Sequence, residues 1–340
     1  MHRITNTPRT FLLEGKRIIV TGCGYKPVEH VFHDIVDGKP THDEVFINHG
    51  LKPGIKGQDG TIRHHGCDIQ EMKANIGTAI AAVLARNGAD VVMVGHNEDK
   101  IKGIRDALLN DLSSGVKIDG HMALNYDKTL HIDGTAVDLL DEQSVKEFVS
   151  KLPTDKPIYR VQSVGLGAGS YQLKNDNPYL PLEEMDVGLI DAEITTVING
   201  THILMKEILP ILKKQQESKI VIISSMSAIR GYALGSSHCT AKAAIDKYAN
   251  VVMLKLYKDN IRVSTVRPGA VDTGMYDALE TRKAVRDISA EHSGGRNTDD
   301  DIVLMPPTAV GQVVNTILTS PAHIAAVNMV SKSQFPHQGS

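Results

Sequence analysis

Short runs such as KRIIVTG (16–22), ADVVMVG (89–95) and KIVIISS (219–225) are apolar and β-branched, with no polar residue at every second position. A strand of that kind has no face to turn towards water, so it must be covered on both sides. The runs alternate with helical patterns. NIGTAIAAVLARNG (75–88) spaces Ile76, Ile80, Val83 and Leu84 on one helical face and stops at Gly88. Helices are read at 98–110 and 142–152, through ITTVINGTHILMKEILPILKKQ (194–215), from the GSSHCTAKAAI stretch (235–245) onward, and near 307–318. Further strands are read at 134–141, 157–165, 261–269 and 324–330. Strand–helix alternation of this sort predicts an α/β fold, a doubly wound parallel sheet with helices on both faces.

The pattern has one interruption. After the first strand the turn TGCG (21–24) is followed by about fifty residues rich in Gly, His, Asp and Pro before the first helix opens at ANIGTAIA. The reading is one domain over 15–330 with an insertion at 25–73, expected to act as a lid or subunit contact. The insertion carries His30, His33, Asp34, His64, His65 and Cys67, which are ligand-type side chains. Their spacing fits no finger or protease pattern, so no metal is expected.

Composition narrows the class. The net charge of -3, from 37 basic and 40 acidic residues, predicts no general affinity for nucleic acid or anionic membrane. No run approaches the roughly 18 apolar residues of a membrane span, and MHRITNTPRTFLLEGKR reads as no signal peptide. Three scattered cysteines, Cys23, Cys67 and Cys239, suit reduced thiols and a cytoplasmic setting.

A strand that feeds a glycine turn and a helix N-terminus is how α/β proteins hold a pyrophosphate. Backbone N–H groups and the helix dipole face the anion, and glycine allows close approach. Here TGCG and ANIGTAIA are the two halves of such a turn. Asn75 stands where glycine is usual, and asparagine tolerates a left-handed backbone better than other side chains do.

Taken in order, VTG, NIGTAIAAVLARNGADVVMVGHNEDKI, AVDLLDEQSV, IVIISS, the helix of Lys242 and RPGAVDTGM resemble the short-chain dehydrogenase/reductase family from about residue 15 to 330. The resemblance implies a Rossmann fold and a nicotinamide cofactor. Gly22, Gly24, Asn75, Ile76 and Gly77 would form the pyrophosphate turn, and Asp138 and Leu139 would flank the adenine. Gly165 matches the last glycine of the family's Asn-Asn-Ala-Gly turn, although the three residues before it differ. Pro268, Gly269, Val271 and Thr273 match the stretch beside the nicotinamide. The second strand ends in Gly95, His96 and Asn97, with no carboxylate to bond a ribose 2′-hydroxyl or repel a 2′-phosphate. NADP is therefore expected in preference to NAD, with His96 or Lys100 near the phosphate.

The family's catalytic set is a serine, a tyrosine, a lysine that also binds the nicotinamide ribose, and an asparagine. Ser225 lies thirteen residues before His238, the family's separation of serine and tyrosine, and Lys242 lies four after it. The proton-handling position is thus a histidine, and Val197 stands for the asparagine. Histidine exchanges its proton near neutrality, and an adjacent ammonium disfavours the imidazolium. Two readings follow. One is an oxidoreductase for a small alcohol or carbonyl, with Ser225, His238 and Lys242 as its catalytic set. The other is a dinucleotide-binding scaffold without turnover, or a pocket repurposed for another step such as an isomerisation. Tyr232 and Cys239 are nearby polar alternatives. A homodimer or homotetramer through the two long helices is expected, and the charged loop 274–304 should line the substrate pocket.

Overall fold

A computed structural model describes residues 13–27, 35–36, 39–40, 55–56, 62–63, 72–110, 130–165, 181–231, 235–273 and 304–331. Seven strands make one sheet: β1 Arg17–Thr21, β2 Asp90–Gly95, β3 His131–Ala136, β4 Ile158–Gln162, β5 Ser218–Ile223, β6 Ile261–Pro268 and β7 Ala326–Met329. They run in the order β7-β6-β5-β4-β1-β2-β3, and every pairing is parallel. The order reverses at β1, between β4 and β2. That reversal opens the crevice in which sheets of this kind hold ligands, at the carboxyl ends of the strands.

Among the described residues the α-helices are α1 Ile76–Arg86, α2 Glu98–Asn110, α3 Glu142–Ser150, α4 Val187–Ile194, α5 Gly200–Leu212, α6 Ser236–Leu256 and α7 Pro307–Thr319. The apolar strands now have their explanation. Ile18, Val20, Val91 and Met93 enter one core with α1, α2 and α7. Their neighbours Ile19, Val92 and Val94 enter a second core with α3, α5 and α6 on the opposite face. Alternate residues go to opposite cores, so both parities must be apolar.

One polar ladder crosses this interior. Arg160 is fully buried in β4, its guanidinium bonded to Gln162 and to Thr201 O at 3.3 Å, and burial pushes its pKa down to about 10. Gln162 Nε2 donates to Thr201 Oγ1 at 2.9 Å, and Gln162 Oε1 accepts from Thr21 Oγ1 at 2.9 Å. The ladder ties β1, β4 and α5 together just below the crevice.

Two elements differ from the sequence reading. The third strand begins earlier and ends at Ala136, not 141. Beyond it Asp138 Oδ1 accepts from Leu140 N at 2.9 Å, and Asp141 caps α3 through Gln143 N and Ser144 N. These carboxylates turn the chain locally and compete with the ladder. The helix expected from 194 starts at Val187, capped by Asp186, and a π turn at Thr195–Asn199 divides it into α4 and α5. Such a turn shifts the register of everything before it.

The insertion leaves and re-enters the fold at one point. Tyr25–Pro27 pairs antiparallel with Met72–Ala74, in the register Tyr25 to Ala74. Ile35–Val36 pairs with Lys39–Pro40, and Ile55–Lys56 with Ile62–Arg63. The two halves of the split turn are therefore drawn together although fifty residues separate them. His30, His33, Asp34, His64, His65 and Cys67 lie outside the described residues. So do Tyr232 and residues 274–303 of the loop assigned to the substrate pocket.

Candidate active site

The glycine turn closes through side chains. Asn75 Nδ2 donates to Gly22 O at 2.8 Å, while Asn75 Oδ1 accepts from Gly24 N at 3.2 Å and from Thr78 N at 3.0 Å. Thr78 Oγ1 donates to Gly24 O at 2.8 Å and accepts from Gly24 N at 3.0 Å. Asn75 has φ -76 and ψ 175, the extended backbone of an N-cap. The left-handed role expected of it is therefore corrected: asparagine serves here because its amide can cap α1 and hold the opposite half of the turn at once. The left-handed residue is Gly22, with φ +75, where a Cβ would overlap the carbonyl of Ser163. At Gly77 a Cβ would lie 2.6 Å from Gly22 O. Ile76 and Gly77 open the helix, so their N–H groups have no acceptor within it. A bare, close-packed turn facing those donors is a fit for a pyrophosphate. Cys23 beside it is a packing residue, since burial pushes its thiol up to about 12.

At the tip of β2, a Cβ on Gly95 would lie 2.6 Å from Cys23 O and from Ile101 Cδ1. Packing alone thus excludes a side chain at 95. Asn97 Oδ1 accepts from Lys100 N at 2.9 Å and caps α2, while His96 stands exposed at the tip. Asp138 is exposed and Leu139 half-buried at the end of β3, against the start of α5. Gly269 N donates to Met329 O at 2.7 Å, Asp272 N to Met305 O at 2.9 Å, and Thr273 N to Val271 O at 2.9 Å. These bonds, with Pro268 O accepting from Ser225 Oγ, hold the segment of Pro268, Gly269, Val271 and Thr273 at the carboxyl end of β6.

Lys242 is buried on α6, and its Nζ donates to Val164 O at 3.4 Å, beneath the exposed Gly165. Burial pushes its pKa down, and the charge of Glu193 offsets part of that shift. Ser225 Oγ donates to Pro268 O at 3.4 Å and accepts from Ser227 N at 3.1 Å. The neighbouring Ser224 Oγ donates to Lys242 O at 3.1 Å, which ties the end of β5 to α6.

His238 makes its bond elsewhere. Its Nδ1 lies 3.0 Å from Glu193 Oε1, between the last turn of α4 and the first turn of α6. Glu193 is 5% exposed. Burial alone would raise its pKa, but the hydrogen bond with His238, then the charges of His238 and Lys242, hold the carboxyl below the ordinary 4.5. The charge environment is therefore not the lone ammonium read from the sequence, because the same carboxylate acts on both His238 and Lys242. Since the folded carboxyl titrates below the unfolded one, these contacts stabilise the fold above pH 4.5, and their contribution is lost as pH falls through the folded value. Glu193→Gln should remove this acid-side dependence, seen as a flatter curve of melting temperature against pH below 4.5.

Sequence reasoning passed over Glu193 and Thr78. A signal for Glu193 was present: Leu189, Glu193 and Val197 are all buried and spaced by four, so a carboxylate sits in the apolar stripe. Val197, at the family's asparagine position, is 1% exposed in the second core. Among the described residues no cluster of three or more His, Cys, Asp or Glu could hold a metal, and no helix is long and apolar enough to cross a membrane.

A model of the family described as short chain dehydrogenase matches residues 72–284, more than half of the chain. A curated relative from Staphylococcus saprophyticus, named only as an uncharacterized oxidoreductase, is 25% identical over 59% of this chain and 75% of its own. Among solved structures, an alcohol dehydrogenase of Thermococcus sibiricus complexed with 5-hydroxy-NADP is 18% identical. It aligns over 95% of this chain and 99% of its own with a TM-score of 0.58. An NADPH-bound short chain oxidoreductase of Pseudomonas aeruginosa, described as containing an atypical catalytic center, is 16% identical. It aligns over 75% of this chain and 91% of its own with a TM-score of 0.57.

Proposed function

The chain belongs to the short-chain dehydrogenase family, and we propose that it is an NADP-dependent oxidoreductase that interconverts a small alcohol and its carbonyl. The observation that carries this reading is the crevice itself. The phosphate-type turn of Gly22, Gly24, Asn75, Ile76 and Gly77 stands at its floor. The buried Lys242 reaches Val164 O beside Gly165, and the imidazole of His238 is anchored on the same helix. The dinucleotide, when bound, would supply hydride exchange at its nicotinamide. Lys242 would bond the ribose beside that ring, Ser225 would bond the substrate oxygen, and His238 would take the alcohol proton or donate a hydrogen bond to the carbonyl. Asp138 and Leu139 would border the adenine, with Pro268, Gly269, Val271 and Thr273 beside the nicotinamide.

The choice of NADP over NAD rests on the tip of β2. No side chain fits at Gly95 and Asn97 is engaged in a cap, which supports a 2′-phosphate meeting Lys100 or the exposed His96. Calorimetric titration should show NADPH binding at least about tenfold more tightly than NADH, a difference of about 1.4 kcal/mol. His96→Asp should reverse the order. Equal affinities would remove the NADP assignment, and no binding of either would remove the oxidoreductase reading. Binding without turnover on a panel of alcohols and carbonyls would favour the scaffold reading, which the replacement of tyrosine by His238 and of asparagine by Val197 keeps in play.

We further propose self-association through α6. Val251, Leu254 and the adjoining Tyr257 are 50%, 76% and 74% exposed at a spacing of three, an apolar strip with no cover within the described chain. Light scattering should give a dimer or tetramer, and Leu254→Lys should reduce its mass to that of a smaller species.

A further inference from the structure

We propose that Glu193 is a positioning residue for His238, fixing the tautomer in which Nδ1 carries the proton and Nε2 is the nitrogen offered to substrate. The inference rests on the proposed oxidoreductase reading for its consequence, but its geometry stands apart from it. An ionised carboxylate can only accept hydrogen bonds, so a 3.0 Å contact between Glu193 Oε1 and His238 Nδ1 places a proton on Nδ1. The carboxylate is the more buried partner, with 7% side-chain exposure against 23% for the imidazole, so the ring keeps an accessible edge that its anchor lacks. The anchor is also fixed from behind. Glu193 lies on α4 between the buried Leu189 and Val197, and the π turn at Thr195–Asn199 separates it from the register of α5.

The charges make the same point. Lys242 is buried on the helix of His238, and the charge of Glu193 acts on both, against the burial that pushes the Lys242 pKa down. In a tyrosine enzyme the negative charge beside the lysine forms on the phenol as the proton leaves. Here the negative charge is permanent and stands behind the imidazole. In the oxidising direction the substrate hydroxyl proton would pass to Nε2, the hydride would leave the same carbon for the dinucleotide, and the carbonyl would remain. His238 would then be an imidazolium whose Nδ1–H still faces Glu193. In reduction the same proton returns from Nε2 to the carbonyl oxygen as hydride arrives at carbon. A histidine with its proton on Nε2 could not accept the hydroxyl proton there.

The test reads the tautomer directly. Protein labelled with nitrogen-15 in its 15 histidines is examined by NMR at a pH where the imidazoles are neutral, and the His238 signal is identified by its loss in His238→Phe. Wild type should carry the proton on Nδ1. In Glu193→Gln the amide can donate to Nδ1, and the proton should move to Nε2. The turnover number should then fall by a factor between about 10² and 10⁴, the scale seen when an acid–base histidine is held in the wrong tautomer. Affinity for NADPH should stay within about threefold. A merely structural glutamate would lower stability and leave the tautomer of the folded protein alone. A wild-type proton on Nε2, or a folded Glu193→Gln with unchanged tautomer and pH–rate profile, overturns the proposal. If Glu193→Gln does not fold, the wild-type tautomer alone decides. If wild type turns over no substrate but carries the proton on Nδ1, the positioning contact stands and the proposed function fails.

Discussion

His238→Phe is expected to slow turnover by about a hundredfold or more, the usual contribution of a positioned acid–base group. Phenylalanine keeps the ring and its packing but has no atom to take or give a proton, so dinucleotide affinity should be little changed. In wild type, oxidation should rise with pH as the imidazole loses its proton and then level off. Reduction should run the other way, because only the imidazolium is an effective acid. The structure makes His238→Tyr the more informative variant. From the sequence, a tyrosine beside Lys242 and Ser225 should preserve or increase reductase activity. A phenolate at 238 would, however, stand where the imidazole now meets the ionised Glu193 at 3.0 Å. Two negative charges at that range disfavour ionisation. A neutral phenol would instead donate to Glu193 and turn away from substrate. His238→Tyr alone should therefore remain slow, while His238→Tyr with Glu193→Gln should recover activity, with a pH transition moved towards that of a lysine-lowered phenol. The measurement is a pH–rate profile of all four proteins on alcohols and carbonyls. A His238→Phe protein as fast as wild type would show that the ring is a filler.

Among the described glycines, Gly22→Ala should be the most damaging added methyl group. At φ +75 any side chain is strained, and the added Cβ would meet the backbone carbonyl of Ser163, which cannot move without disturbing the loop after β4. The expected cost is upwards of about 3 kcal/mol, with loss of NADPH binding, because the turn must open to admit the methyl. Gly103→Ala is the matching control. Gly103 lies inside α2 with nothing within 4 Å of its added Cβ, so the change should stabilise the helix by about 0.5–1 kcal/mol. Denaturant unfolding separates the two, and similar midpoints for both variants would contradict the close-packed turn.

The chain's own pattern determined its architecture. Strands apolar at both parities can be satisfied only inside a sheet covered on two faces, and local helical spacing filled those faces at nearly the residues expected. The glycines at 22 and 77 stood out in the sequence as parts of a turn, but the contacts that require them, Ser163 for Gly22 and Gly22 for Gly77, join distant segments. What only tertiary structure decided are relations between distant segments. Pairing of Tyr25–Pro27 with Met72–Ala74 brings Asn75 to Gly22 and Gly24, and so converts an expected left-handed residue into a cap that staples a split turn. Crowding against Ile101 and against Cys23, which is distant in sequence, leaves no room for a side chain at 95. Glu193 and His238 are 45 residues apart and meet because α4 packs on α6. A buried carboxylate in an apolar stripe signals that it has a partner, but its identity depends on which helix faces it, and that is settled only when both helices pack on the sheet.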